Sequence, residues 1–270
     1  MRGLKSIFDF YLDASIHVAL AVVSLYAVTV ELSQLNYNGY LMAFIGFSTI
    51  VCYNFVKYGV EAEKYLIVSN SYHRIIQVFS FLCFLPIIYC GWHLDMPIWA
   101  AIVILTLLSG VYALPVLPQA KNLRSLGILK IFIVALVWMG FTVILPIMDN
   151  KIPFTWDVFI VSLQRFLLVL ALILPFEIRD MKFDAPQVRT IPQRLGLEKT
   201  KRIGYTVLLL FFGFTFLKDE IGTVEIVTRF LVMVTVVFLL KYTKEKQSRY
   251  FASFWVEAVP IFWWLLLQVL

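Results

Sequence analysis

Cysteine is scarce in this chain: Cys52, Cys83 and Cys90 are the only three in 270 residues. An odd count without metal-ligand spacing argues against a disulfide framework and a thiolate metal centre, so all three read as packing residues inside helices. Charged residues are also few, at 15% against 61% hydrophobic, and mean hydropathy is +0.86. A soluble globular domain is roughly 45 to 50% apolar, so a soluble fold is excluded. Linkers, low-complexity tracts and polar domains are lacking, which leaves a single domain over residues 1–270. Also missing is a pair of Gly/Pro-broken hydrophobic segments at equivalent places in the two halves, which a secondary transporter would be expected to show.

What is present is a series of long apolar runs. A hydrocarbon core roughly 30 Å thick needs about 20 apolar residues per helix, and unpaired backbone groups limit spanning elements to helices or closed barrels. The runs are too long for barrel strands. They predict an all-α polytopic membrane protein with nine transmembrane helices: Ala14 to Leu32, Gly39 to Val56, Ile75 to Trp92, Pro97 to Leu117, Leu126 to Ile147, Asp157 to Phe176, Ile203 to Leu217, Val224 to Leu240 and Phe251 to Leu270. The first is long for a signal sequence and lacks a clear small-residue cleavage site, so it is expected to stay as an anchor.

Lys and Arg accumulate on the cytoplasmic side of membrane proteins. A cytoplasmic N-terminus leaves only Lys151, Lys218 and Arg229 on the opposite face, with Arg165 inside a span. The expected location is a bacterial inner (plasma) membrane, N-terminus cytoplasmic and C-terminus on the opposite side. The net charge of +6 is then loop charge, which attracts lipid headgroups and phosphorylated substrates and calls for no nucleic-acid partner.

Polar chemistry concentrates after the sixth run. Glu177, Asp180 and Asp184 stand at i, i+3 and i+7 and share one helical face. Like charges at a helix C-terminus are unfavourable, so the face invites a cation. Either a hard divalent ion such as Mg2+ bridges it to a phosphate, or Arg179, Lys182 and Arg189 neutralise it as a solvated edge. Arg189-Thr-Ile-Pro-Gln-Arg194-Leu-Gly196 follows. In a second loop, Pro115 and Pro118 end the fourth helix, and Lys121 and Arg124 follow Tyr112. These two cations could clamp a phosphate or serve only as positive-inside residues. In a third segment, Asn54, Lys57 and Glu61 are again spaced i, i+3, i+7.

Together, the nine runs, the Glu177 to Gly196 segment and the loop of Tyr112, Pro115, Lys121, Arg124 and Gly127 resemble the UbiA superfamily of intramembrane prenyltransferases, over nearly the whole chain. The resemblance implies a bundle around a central cavity, and Mg2+-dependent transfer of a prenyl chain from a polyprenyl diphosphate to a lipophilic, aromatic-type acceptor. It makes Asp180 and Asp184 the catalytic Mg2+ ligands with Glu177 a third. Lys121 and Arg124 would act in catalysis, and Asn54, Lys57, Glu61, Tyr112, Arg189 and Arg194 would bind substrate. The first Asp-rich motif departs from the family: Asn54 matches, but Phe55, Tyr58 and Ala62 replace its aspartates. Lys57 then either supplies charge that a metal carries in relatives or snorkels to the interface. An impaired lipid- or diphosphate-binding protein, or a terpene-cyclase-like member of the fold, stays open beside the transferase.

Arg165 and Glu257 fall well inside their runs, where charge marks function or a buried clamp. They could pair with each other, line a polar cavity or touch the acceptor. His17 reads as a hydrogen-bonded packing residue.

Overall fold

The structure, a computed structural model, describes residues 2–59, 71–113, 127–183 and 189–270. The described residues form helices and contain no strand. Helix α1 (Arg2–Asp13) is amphipathic and meets α2 (Ile16–Leu32) at a 55° bend. The bend sits at Ser15, whose φ of 60° is left-handed. Next come α3 (Gly39–Asn54), α4 (Ser71–Gly91), α5 (Met96–Ala113), α6 (Ile128–Asp149) and α7 (Trp156–Asp180). The chain closes with a short α8 (Ile191–Leu195), then α9 (Leu197–Gly213), α10 (Thr223–Tyr242) and α11 (Phe251–Val269).

Seven of the described helices are long and apolar enough to cross a bilayer, and the bent α1–α2 pair makes an eighth. The fourth expected span, Pro97 to Leu117, maps to α5, whose apolar stretch Met96–Gly110 is shorter. The all-α, polytopic reading therefore stands, with boundaries moved. The sixth run extends through Asp180 rather than stopping at Phe176, and the seventh begins at Leu197. Glu177 and Asp180 consequently lie in the last turn of a spanning helix.

The α7 helix is the central column of the bundle, with most of its length buried. It packs on α6 and α9, while α2 packs between α3 and α11. Thr155 caps α7 by accepting from the Val158 N–H at 3.3 Å, and Asn38 caps α3 by accepting from Tyr40 and Leu41. Leu168, Ala171, Leu208, Phe211, Val236 and Trp263 meet in the main core.

Three of the described helices carry a π-helical turn: Phe55–Gly59 continues α3, Gly140–Ile144 lies inside α6, and Phe251–Val256 opens α11. Such turns insert a residue and re-aim side chains, and they are frequent at functional sites.

Candidate functional site

The last turn of α7 carries two of the three predicted acids. Glu177 is 4% exposed, and its Oε1 lies 2.7 Å from Lys130 Nζ on α6. Asp180 accepts two hydrogen bonds from Arg179, from Nε at 2.7 Å and from Nη2 at 2.9 Å. The same guanidinium donates to Ser253 Oγ at 3.2 Å and stacks 5.2 Å from the Phe176 ring centre. The π turn of α11 presents Ser253, so α7 and α11 are joined through Arg179.

Across the bundle end, the α3 π turn presents Lys57. The carboxylates facing it are Glu257 and Asp13, and the cations facing it are Arg179 and Arg249. Glu257 in turn faces Lys57 and Arg179. Asn54, one turn earlier, donates through Nδ2 to the Ala14 carbonyl (3.1 Å) and to Ser80 Oγ (2.8 Å). Asp13 ties down the rim, accepting from Arg249 Nη2 at 2.5 and 2.7 Å and from Tyr72. Its backbone carbonyl accepts from the Tyr58 hydroxyl at 3.0 Å. Tyr250 donates to Asp9 Oδ1 at 2.7 Å. The bond to Asp13 raises the Arg249 pKa, and the bond to Asp9 raises that of Tyr250.

Beside this charged end lies a cavity of about 510 Å3, lined mostly by apolar surface. Asn54, Phe55 and Tyr58 form its wall toward the charges, and Phe81, Phe84, Val137 and Phe141 are among the residues lining the rest. A chamber of this size falls in the range that encloses small organic ligands. The end with Lys57, Lys130, Arg179 and Glu257 supplies fixed charge; the chamber supplies a water-poor apolar surface.

The sequence reading brought Asn54, Lys57, Glu177 and Asp180 to one end of the bundle, and the structure places them there. Asp184, Glu61, Lys121 and Arg124 lie outside the described residues, as does the Tyr112 side chain. Arg189 and Arg194 belong to a capped turn. Thr190 N–H donates to Gln193 Oε1, Gln193 Nε2 reaches the Met181 carbonyl at 3.2 Å, and Arg194 Nε donates to the Arg189 carbonyl at 2.9 Å. Both arginines are exposed. The Thr-Ile-Pro-Gln pattern is therefore legible as an N-terminal helix signal that folds the segment back on α7.

Three contributors were missed as site residues: Lys130, Arg179 and Glu257. Lys130 falls within the fifth expected run and was not singled out, and Arg179 read as a neutraliser of the acidic edge. Glu257 was weighed against Arg165, yet the two do not pair; Arg165 instead binds the Leu25 carbonyl and the hydroxyls of Thr29 and Thr142. His17 accords with its packing role, bridging Tyr11 Oη (2.6 Å) and the Phe254 carbonyl (2.9 Å).

The described donors do not by themselves make a metal centre. Among the described residues no three of His, Cys, Asp and Glu cluster closely enough to hold an ion. Glu177 and Asp180 are each matched by a cation, so a divalent site would need Asp184 or Glu61 to complete it.

No protein-family model and no curated protein matches the chain. Solved structures do. A UbiA homolog from Archaeoglobus fulgidus superposes with a TM-score of 0.64 at 12% identity, covering 96% of this chain and 98% of that one. The apo UbiA homolog from Aeropyrum pernix K1 gives 0.66 at 13% identity, covering 94% and 98%. The Archaeoglobus protein bound to DMAPP and Mg2+ gives 0.62 at 12%, covering 96% and 98%. At these identities the likeness is one of fold, and it extends over almost the whole of both chains.

Proposed function

We propose that this UbiA-fold chain is an integral membrane protein that binds a prenyl diphosphate and transfers its prenyl group to a lipophilic acceptor. The observation that carries the reading is the apolar chamber of about 510 Å3 whose wall of Asn54, Phe55 and Tyr58 adjoins the charged end of the bundle. A prenyl diphosphate has the same division, an apolar chain ending in a dense negative charge. Support also comes from the Archaeoglobus fulgidus UbiA homolog of this fold, solved with DMAPP or GPP and Mg2+.

In this reading the prenyl chain lies in the chamber and the diphosphate meets Lys57 and Arg179, with Lys130 adding charge from α6. Lys121, Arg124, Arg189 and Arg194 are proposed to close around the phosphates, with Asn54, Tyr112 and Glu61 beside them. Mg2+, with Asp180, Asp184 and Glu177 as its proposed ligands, would supply further charge neutralisation for the leaving group when bound. The chain's own residues have three tasks. The cations offset charge as the bond from C1 to oxygen breaks and its electron pair leaves on the diphosphate. The aromatic and aliphatic wall excludes water from the allylic cation. Confinement brings the acceptor carbon within bonding distance of C1, and its proton is then released.

Lys57 occupies the turn in which the resemblance would place acidic ligands. Glu257 and Asp13 attract its charge, and Arg179 and Arg249 oppose it. A second reading, binding without catalysis, is favoured by one observation: Phe55 and Tyr58, at positions of expected aspartates, line the chamber.

The test incubates purified protein in nanodiscs with radiolabelled prenyl diphosphate, with and without Mg2+, and measures bound label and released diphosphate. Release that is lost in Asp180→Ala supports transfer. Binding without release supports the second reading, and no binding removes both.

A further inference from the structure

Helix α1 carries an apolar stripe longer than the protein surface it packs on. Leu4, Ile7, Phe8, Tyr11 and Leu12 are spaced i, i+3, i+4, i+7 and i+8, so they lie along one side of the helix. The second half of the stripe is docked. Phe8 packs against Tyr250 and Phe254 with ring centres 5.4 and 5.2 Å apart, Tyr11 bonds to His17, and Leu12 is buried. The first half overhangs the bundle: Leu4 is 77% exposed and Ile7 69%.

Charge divides along the helix in the same way. The acids stand in the docked half, where Asp9 accepts from Tyr250 at 2.7 Å and Asp13 accepts from Arg249 and Tyr72. The overhanging half has no acid in its first turn and begins with Arg2, Gly3, Leu4 and an exposed Lys5. Cations at a helix N-terminus oppose the macrodipole, so they weaken this helix unless an outside anion offsets them. Two aliphatic side chains left in water add to the cost. The course of the chain says what lies beside them. Past the 55° bend at Ser15, α2 is the apolar, membrane-crossing part of the bent pair. Helix α1 is therefore tethered at a membrane surface, and its docked half fixes the direction of the free half.

We propose that the overhanging half of α1 lies in the interface of the bilayer, with Leu4 and Ile7 among the acyl chains and Lys5 against anionic headgroups. An interfacial amphipathic helix needs this division, apolar area for depth and basic residues for headgroup charge. The same helix ends at Asp13, whose carbonyl accepts from the Tyr58 hydroxyl on the chamber wall. Seating α1 in lipid thus also steadies that rim. The lipid contact itself does not depend on the prenyl diphosphate reading.

The experiment places an environment-sensitive NBD fluorophore on Ile7→Cys or, beside the stripe, on Ser6→Cys, in full-length Cys52→Ser protein. The protein is held in nanodiscs of equimolar phosphatidylcholine and phosphatidylglycerol. Cys83 and Cys90 are buried, and both labelled positions are exposed, so the label goes where intended and the core is untouched. Quenching is read with doxyl-labelled lipid and with aqueous iodide. We expect the label at position 7 to be quenched by lipid and shielded from iodide, and the label at position 6 to show the reverse. Doxyl-labelled phosphatidylglycerol should quench position 7 more strongly than doxyl-labelled phosphatidylcholine, and Lys5→Gln should cut that preference roughly fivefold, as for one basic residue at an anionic surface. Equal iodide quenching at the two positions would overturn the proposal, since the helix would then project into water. Shielding of position 7 from both quenchers would also overturn it, and would point to a second copy of the chain over Leu4 and Ile7.

Discussion

Lys57 is the side chain on which the functional reading turns. It comes from a π turn and stands in the field of the Glu257 and Asp13 carboxylates, which attract it, and of Arg179 and Arg249, which repel it. A charge-assisted contact to phosphate contributes about 1.5 to 3 kcal/mol. Lys57→Ala should therefore weaken prenyl diphosphate binding roughly 10- to 100-fold at fixed Mg2+, measured by equilibrium binding in nanodiscs. Unchanged affinity would mean that Lys57 only snorkels. Lys130 gives a stability counterpart. Its pair with Glu177 is buried at the carboxylate and half-buried at the ammonium, and removing one partner of a buried pair costs up to about 3 to 5 kcal/mol. Lys130→Met should lower the unfolding temperature in detergent, and adding Glu177→Leu should recover most of the loss. No recovery would show that Glu177 is engaged by more than Lys130.

The i, i+3, i+7 spacing made Glu177 and Asp180 legible as neighbours on one helix, and Asn54 and Lys57 on another, but only the resemblance suggested that the two sets belong to one site. Lys130 and Glu257 were not legible as partners of this cluster. They stand far from it along the chain, and only packing of α6 and α11 against α7 brings them near. Arg165 and Glu257 were considered as partners because both lie deep in their runs, but depth along a helix fixes only height and says nothing of which neighbouring helix each residue faces.

Among the elements, the π turns do work that periodicity could not reveal. Phe55–Gly59 presents Lys57, Gly140–Ile144 presents Thr142 to Arg165, and Phe251–Val256 presents Ser253 to Arg179 and the Phe254 carbonyl to His17. One inserted residue rotates everything after it by about 100°, and an apolar run reads the same with or without it. Helix α1 was missed for a different reason: its mixed composition falls below the level of a spanning run. It is fastened to the start of α11 by Arg249–Asp13 and Tyr250–Asp9. The bond to Asp9 raises the Tyr250 pKa, so the protonated phenol is favoured in the folded chain. Its contribution is present below the unfolded pKa of about 10 and is lost as pH rises through the folded value. The stability advantage of the wild type over Tyr250→Phe should accordingly shrink above about pH 10, read from unfolding temperatures across pH. A constant difference would contradict the contact.

The turn between α4 and α5 offers a packing test. A Cβ on Gly91 would come 2.7 Å from Trp99 Cζ2, and the indole is pinned because its Nε1 donates to the Gly91 carbonyl at 3.0 Å. The ring has little room to withdraw. Gly91→Ala should destabilise by about 1 to 3 kcal/mol, as overpacking does, measured by thermal unfolding in detergent; wild-type stability would show that the ring can shift.

At the scale of the molecule, the protein is a helical bundle with two separated charged centres. One end joins Lys57, Arg179, Glu177, Asp180 and Glu257 to an apolar chamber; the other holds the buried Arg165 and Arg229. The bundle itself was visible from composition and run length, since a bilayer admits few alternatives to a spanning helix. The chamber was expected only through the resemblance, because a cavity depends on which side chains fail to meet. If the chamber holds the prenyl chain, narrowing it at Val137 should select by length. Val137→Trp should keep binding of dimethylallyl diphosphate and lose that of farnesyl diphosphate, whereas equal loss of both would place the chain elsewhere.

The most direct measurement of the central claim is binding and turnover of radiolabelled prenyl diphosphate in nanodiscs, compared between wild type, Lys57→Ala and Asp180→Ala. The account expects saturable binding by the wild type, weakened by Lys57→Ala, with diphosphate release abolished in Asp180→Ala. Absence of saturable binding by the folded wild-type protein would contradict it.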